Sequence, residues 1–299
     1  MNSVTIIIVN SNGYHYTRKA LEAVFQHTRG CEIIVVDNNS ADESRELLPV
    51  QFPLVRFLLL HENRSFGAAN NAGAAIATGQ YLFFLNNDTL LFEDTPSGLA
   101  SVLSERQSVG ICGPKLVNDD GTFQLSFGND PSILEEWRMR GVLRRIHQRE
   151  AKVLDRLERE YGAEISVDWL TGAALMIRKD LFHSIGRFDE RFFMYFEDVD
   201  LCSRVRAKGY EIHYVPTTKV LHFGGRSYAN DNEKIMLEYR RSQMRFYKKH
   251  RSKLQQLLLR CYLFVKFLLG LTIGVVRPGR PHGFYLRLIR LVLSPTLMH

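Results

Sequence analysis

These 299 residues hold few cysteines and several familiar signatures are missing. The four cysteines, Cys31, Cys112, Cys202 and Cys261, stand apart with no C-x-x-C pair. Neither a disulfide framework nor a cysteine-rich zinc site is expected, and a reducing compartment fits. No G-x-G-x-x-G and no G-x-x-x-x-G-K-[ST] occurs, so neither a dinucleotide fold nor a P-loop is supported. H-E-x-x-H and G-x-S-x-G are absent as well, against zinc proteases and α/β-hydrolases. No basic segment precedes the apolar run from Val4 to Val9, which reads as a first core strand and not a signal peptide. Crossing a bilayer takes about twenty apolar residues. The apolar stretch 257–276 is broken by Arg260 and Lys266, and the uninterrupted part, 267–276, has ten.

Acid is missing from one region only. Residues 239–299 contain 13 Lys and Arg and no Asp or Glu, while the whole chain has 39 basic and 32 acidic residues. Subtraction leaves 26 basic and 32 acidic side chains in residues 1–238, a net −6 against a whole-chain +7. A slightly acidic body therefore carries a strongly basic tail. At 45% hydrophobic and 24% charged, the body can bury a sizeable core as one large domain.

Val4 to Val9 and Glu32 to Val36 are β-branched runs typical of strands buried on both faces. The helical spacing of Leu21, Val24 and Phe25 lies between them. That βαβ unit implies a parallel sheet with a right-handed crossover. Further strands are expected at 55–60 and 81–85, flanking an Ala/Gly-rich helix from about Phe66 to Thr78. Residues 138–160 read as a charged, solvated helical stretch interrupted at Gly141. Residues 167–178 read as one strand, a helix follows to about Lys208, and 210–215 as another strand. Asn10-Ser11-Asn12-Gly13, Asp37-Asn38-Asn39-Ser40 and Asn86-Asn87-Asp88 each follow a strand. One Asn-rich turn means little, but carboxyl ends of strands line the ligand crevice of open parallel sheets, and three in register point to a site.

The densest chemistry is Phe192-Phe193-Met194-Tyr195-Phe196-Glu197-Asp198-Val199-Asp200, where an aromatic run delivers three acids to a helix start. Burial and like charge raise a carboxyl pKa and suit a general base, whereas simple dipole complementation at a helix start is the plainer reading. Asp198 is the candidate base and Asp200 its backup, with Arg204 the expected salt-bridge partner of Asp200. Asp37 offers an acceptor for a base imide or a ribose hydroxyl, and Asp42 reads as a helix cap. Asn86-Asn87-Asp88 supplies oxygens that suit Mg²⁺ or Mn²⁺ beneath a diphosphate. His222, before Gly224-Gly225, is a metal ligand only if the fold brings it to Asp88.

Taken in order, Val9–Gly13, Asp37–Ser40, Glu62–Gly73, Asn86–Asp88, Phe192–Cys202 and His222 resemble family 2 glycosyltransferases of the GT-A fold. The nearest likeness is to the bacterial rhamnosyltransferase and galactofuranosyltransferase branch, and it covers about residues 3–250. The resemblance implies an α/β fold with a mostly parallel central sheet, a donor half at about 1–115 and an acceptor half at about 116–238. It implies Asp37 on the donor's base or ribose, with Asn10, Asn39, Arg64, Asn70 and Asn87 also donor-binding. Asp88 and His222 are the implied metal ligands, Asp198 the implied base, and Trp169, Gly172 and Glu197 the acceptor side. The family's metal motif is commonly D-x-D, and its first position here is Asn86. The implied reaction is metal-dependent, inverting transfer from a dTDP- or UDP-linked sugar, dTDP-L-rhamnose first, to a lipid-linked glycan in cell-surface polysaccharide synthesis. UDP-galactofuranose or UDP-GlcNAc as donor, and a non-catalytic scaffold that kept the fold, are the alternatives.

The tail, 239–299, reads as basic and helical. Phe284–Leu293 places Arg287 and Arg290 on an apolar helix, a pattern of segments that lie on anionic membrane surfaces. A helix docked on its own protein is the competing reading. Long Leu and Phe runs between the charges argue against nucleic acid. The expected location is peripheral or monotopic, on the cytoplasmic face of the inner or plasma membrane.

Overall fold

The computed structural model describes residues 3–224, 232–276 and 282–294. Gly225 and tail residues 277–281 and 295–299, included in the expectations above, lie outside them. In chain order the elements are β1 (Val4–Asn10), α1 (Tyr14–His27), β2 (Glu32–Asp37), α2 (Ser44–Gln51), β3 (Arg56–Leu59), α3 (Phe66–Ile76), β4 (Tyr81–Asn86) and β5 (Thr89–Leu91). Next come α4 (Thr95–Glu105), β6 (Val109–Val117), β7 (Phe123–Gln124), β8 (Phe127–Gly128), α5 (Ile133–His147) and α6 (Ala151–Glu160). Then follow β9 (Ile165–Val167), β10 (Trp169–Leu170), β11 (Ala174–Arg178), α7 (Lys179–Ser184), α8 (Glu197–Ala207) and β12 (Glu211–His222). The last three are α9 (Asn232–His250), α10 (Lys253–Val276) and α11 (His282–Leu293).

The main sheet has the order β3-β2-β1-β4-β11-β6-β12-β5. Neighbours β3, β2, β1 and β4 are parallel, as are β6 and β12. Strand β11 is antiparallel to both β4 and β6, and β5 to β12. Along this path two strands run against six, with short β7 and β9 antiparallel to β6 and β12 beside it, and the expected mostly parallel sheet is present. Successive side chains of β1 feed opposite layers, which is why its run is apolar throughout. Ile6 and Ile8 pack with Leu21 and Val24 of α1, while Ile7 packs with Ala69 and Ala74 of α3. Helix α3 sits so close that a Cβ on Gly73 would lie 2.7 Å from Ile7 and 2.9 Å from Val36.

Three expectations need correction. The charged stretch breaks at Arg149, whose φ is +51°, and not at Gly141, which lies inside α5. Helix α6 is no solvated segment, because Val153, Leu154 and Leu157 at i, i+1 and i+4 are buried. Residues 167–178 are not one strand; Trp169–Leu170 leaves the main sheet to pair with β8, and only Ala174–Arg178 joins β4 and β6.

The described residues group into two compact units, one of residues 3–191 with 197–224, the other of 192–196 with those from 232 onward. The division expected at 238/239 therefore falls inside α9, and the aromatic run before α8 belongs with the tail helices. In that second unit Tyr195 and Phe196 pack edge-on against Tyr239, Phe196 also meets Phe246, and Ser242 Oγ donates to the Met194 carbonyl at 2.8 Å. Leu259, Leu263 and Phe267 of α10 are buried, as are Phe284, Leu288 and Val292 of α11, both at i, i+4, i+8 spacing. Gly270 admits the Tyr285 ring, which a Cβ would overlap. One face of each helix is thus buried within this unit, while Leu254, Leu257, Leu258, Val265, Leu269 and Leu293 remain at least half exposed. By length and composition, Lys253–Thr272 is long and apolar enough to cross a membrane. Helix continuity across Arg260 and Lys266 is what the run-length reading missed.

Candidate functional site

Strand register assembles the polar ends. Asn10 is paired with Asp37, and Asn86 with Val9, so the carboxyl ends of β1, β2 and β4 lie side by side. Asn10 is closed off from solvent. Its Nδ2 donates to Asp37 Oδ2 at 2.9 Å and to Ser40 Oγ at 3.0 Å, and its Oδ1 accepts from Thr17 Oγ1 at 2.6 Å. Asn87 Nδ2 joins this cluster by donating to Thr17 Oγ1 at 3.1 Å. Asn10 and Asn87, expected to bind the donor, are therefore buried in this hydrogen-bonded cluster. Asn70 is likewise buried, its Nδ2 donating to the Phe66 carbonyl of its own helix at 3.0 Å.

Asp37 is buried in the same cluster. Its Oδ1 accepts from the Ser40 amide at 2.9 Å and lies 3.8 Å from Arg45 Nε. Asn39 is exposed in the left-handed region, φ +60°, and its Oδ1 accepts from Arg45 Nη1 at 3.1 Å. Arg64 is exposed beside Glu62, on a loop fixed by Asn38, whose Oδ1 accepts from the Arg64 amide at 2.8 Å. Asp42 does cap, and at two helices: it accepts from Tyr14 N at 3.0 Å and Ser44 N at 3.2 Å. Sequence reading omits Thr17, Asn38 and Arg45. Thr17 carries no motif of its own, Asn38 lies in the Asp37–Ser40 strand end without a role of its own, and Pro49 inside α2 obscures the helix that presents Arg45.

Asp88 and His222 meet. Strand β12 pairs with β5 so that His222 faces Thr89, and His222 Nε2 lies 3.3 Å from Asp88 Oδ1. That nitrogen is buried and makes no hydrogen bond among the described residues. On the other side of the ring, His222 Nδ1 is 2.7 Å from Gln124 Oε1. Two ligands about 2.1 Å from an octahedral cation stand about 3.0 Å apart when adjacent, so the pair fits a divalent ion. No group of three His, Cys, Asp or Glu able to hold a metal occurs among the described residues.

The acids divide by environment. Asp200 is fully buried and accepts from Arg204 Nε at 2.8 Å, as the i, i+4 spacing predicts. It is an ion-pair residue and not the backup base expected from its position. Glu197 is buried, with Oε2 unpartnered among the described residues, so it does not face an acceptor as expected. Burial, with Asp198 beside it, holds its carboxyl well above the usual range. Asp198 stays partly exposed. Its Oδ2 accepts from the Gly172 amide and its Oδ1 from the Val199 amide, each at 2.8 Å. Loss of surrounding water raises its pKa, and the amides of Gly172 and Val199 only partly counter that. Burial thus outweighs the opposing helix-start effect. Gly172 acts through its N–H, while Trp169 lies over Gly128 and donates from Nε1 to the Asn129 carbonyl at 2.9 Å. Just before α8, Tyr195 and Phe196 have φ of +67° and +66°, a strain of about 1–3 kcal/mol each for residues with a Cβ.

Known proteins resemble this chain. An L-rhamnosyltransferase of Mycobacterium tuberculosis, described as acting on N-acetylglucosaminyl-diphospho-decaprenol, is 29% identical over 238 residues, 76% of this chain and 77% of that protein. The rhamnosyltransferase WbbL of Escherichia coli K12 is 26% identical over 74% of this chain and 83% of its own length. Among solved structures, GalNAc-T7 with UDP, GalNAc and Mn²⁺ matches at a TM-score of 0.58 and 16% identity, over 82% of this chain and 49% of that one. The mannosyltransferase PcManGT of Pyrobaculum calidifontis, with GDP-Man and Mn²⁺, matches at 0.55 and 16% identity, over 99% of this chain and 71% of that one. These likenesses establish a GT-A fold. The model of the glycosyl transferase family 2 matches residues 3–182, more than half the chain, and the protein therefore belongs to that family.

Proposed function

We propose that this glycosyltransferase moves L-rhamnose from dTDP-L-rhamnose onto a hydroxyl of a lipid-linked glycan, with inversion, at the cytoplasmic face of the inner or plasma membrane. The observation that carries the chemistry is Asp198: a partly exposed carboxylate of raised pKa, held by two backbone amides at a strained helix start. The rhamnose donor and the lipid-linked acceptor are supported by the names of the relatives, and the membrane surface by the exposed Leu residues and acid-free charge of the tail.

In this reading Asp37, Asn39 and Arg64 bind the donor nucleotide at the strand ends, with Asn10, Asn87 and Thr17 bracing Asp37 and its loop. Asp88 and His222 Nε2 would hold Mg²⁺ or Mn²⁺, which offsets charge developing on the departing diphosphate. Asp198 takes the proton of the acceptor hydroxyl as that oxygen bonds to the anomeric carbon and the carbon–oxygen bond to the diphosphate breaks. A single displacement inverts the carbon. Trp169 and the Gly172 turn shape the acceptor side.

A panel of nucleotide sugars tested by thermal shift and by transfer checks the reading. Stabilisation and turnover with dTDP-L-rhamnose, abolished by chelator and restored by Mg²⁺ or Mn²⁺, are expected. Preference for UDP-galactofuranose or UDP-GlcNAc reassigns the donor. Binding without hydrolysis or transfer of any donor makes the protein a scaffold.

A further inference from the structure

The hydrogen bonds around His222 have a fixed polarity. Asn118 Nδ2 donates to the Phe123 carbonyl at 3.3 Å and to Thr122 Oγ1 at 2.9 Å. A backbone carbonyl only accepts, so the Asn118 amide has one orientation and presents Oδ1 to Gln124. Gln124 Nε2 donates to that Oδ1 at 3.0 Å and to the His222 carbonyl at 3.3 Å, again an obligate acceptor. Gln124 Oε1 is left facing His222 Nδ1 at 2.7 Å. An amide oxygen cannot donate, so the ring proton must sit on Nδ1. In the neutral ring the lone pair of Nε2 then points to the side where Asp88 Oδ1 lies 3.3 Å away, and no hydrogen bond forms there among the described residues. Two electron-rich atoms at that separation repel unless a cation lies between them.

We infer that Gln124 is a positioning residue for the metal: it locks His222 in the Nδ1–H tautomer and so presents Nε2 as a ready ligand. The chain starts at two backbone carbonyls and ends at a ligand atom, so the tautomer is set by the fold before any metal or donor arrives. Outer-sphere partners of this kind typically change metal affinity by about 10–100-fold. The inference rests on the metal reading above, and the experiment separates the two.

Two measurements test it. In metal-free protein with ¹⁵N-labelled histidine, long-range ¹H–¹⁵N correlation should give His222 the Nδ1–H signature, lost or mixed in Gln124→Met. An Nε2–H tautomer, or an imidazolium at neutral pH, overturns the inference whatever the metal does. Mn²⁺ affinity is then measured calorimetrically with saturating dTDP on the full chain. Gln124→Met should lose about 10–100-fold, while Gln124→Glu, which keeps an acceptor toward Nδ1, should stay within a few-fold of wild type. Both variants lose the donation to Asn118 and to the His222 carbonyl, so equal weakening would mark Gln124 as merely structural and overturn the positioning role. If wild type adds no Mn²⁺ binding beyond that of dTDP alone, the metal reading falls, and the tautomer measurement still decides what Gln124 does.

Discussion

Three acids within four residues behave as three different groups, and substitution should separate them. Asp198→Asn should lower kcat by about 10²–10⁴-fold, the usual loss on removing a general base, with donor binding by calorimetry unchanged. Asp200→Asn should strand Arg204 and cost about 3–5 kcal/mol of stability, read as a fall in Tm, with kcat per folded molecule largely kept. The reverse pattern overturns the assignment. Because Asp198 must be ionised to accept a proton and its pKa is raised above the ordinary 3.8, the acid limb of kcat/KM should lie above that value and disappear in Asp198→Asn.

Glu197 gives a linkage prediction. Its raised folded pKa means the native state holds this proton where the unfolded chain, near 4.5, has released it. Stability from neutral Glu197 is therefore full below about 4.5 and declines as pH rises toward the folded value. Glu197→Gln does not titrate, so its Tm relative to wild type should climb as pH rises above about 4.5. A constant difference above that pH would place Glu197 in water. From sequence the three acids differ only in order. Burial, one arginine and two backbone amides decide their roles, and only the fold supplies those.

For single elements, close packing competes with intrinsic preference. Gly73→Ala in α3 should gain about 1 kcal/mol of helix propensity, yet the added methyl meets Ile7 and Val36 below 3.0 Å. Overpacking typically costs about 1–3 kcal/mol, so net destabilisation is expected by denaturant titration, and net stabilisation would show that α3 can move off the sheet. The strands β1, β2 and β4 were legible because both faces are buried and the run is uniformly apolar. Short β10 was not, because a two-residue pairing leaves no periodic signal. Helix α6 was misjudged because its charges outnumber the three apolar side chains that anchor it.

In the whole chain, the tail is more than an appendage. Truncation after residue 252 removes α10 and α11 but keeps α9, and should leave donor hydrolysis intact while transfer to lipid-linked acceptor in vesicles falls. Truncation after residue 238 also removes Tyr239, Ser242 and Phe246, the partners of Met194, Tyr195 and Phe196, and should abolish turnover as well as lower Tm. Equal activity of the two would separate the aromatic run from the base that follows it. Full-length protein should bind anionic vesicles more tightly than neutral ones and release with salt, at about 1 kcal/mol per basic residue near the surface. Indifference to lipid charge would leave the exposed leucines to another partner.

Sequence by itself determined the strand–helix alternation, the three polar strand ends, the acid cluster and the uneven charge, because each follows from local residue pattern and composition. Tertiary structure alone decided which polar groups face outward: Asn10 and Asn70 went inside, Asp198 stayed open, and Asp200 found Arg204. It also joined positions far apart in the chain, Asp88 with His222 and His222 with Gln124, through strand pairing. Side-chain spacing reports the periodicity of one element, whereas a site of this kind is made where several elements end, and that meeting is set by how they pack.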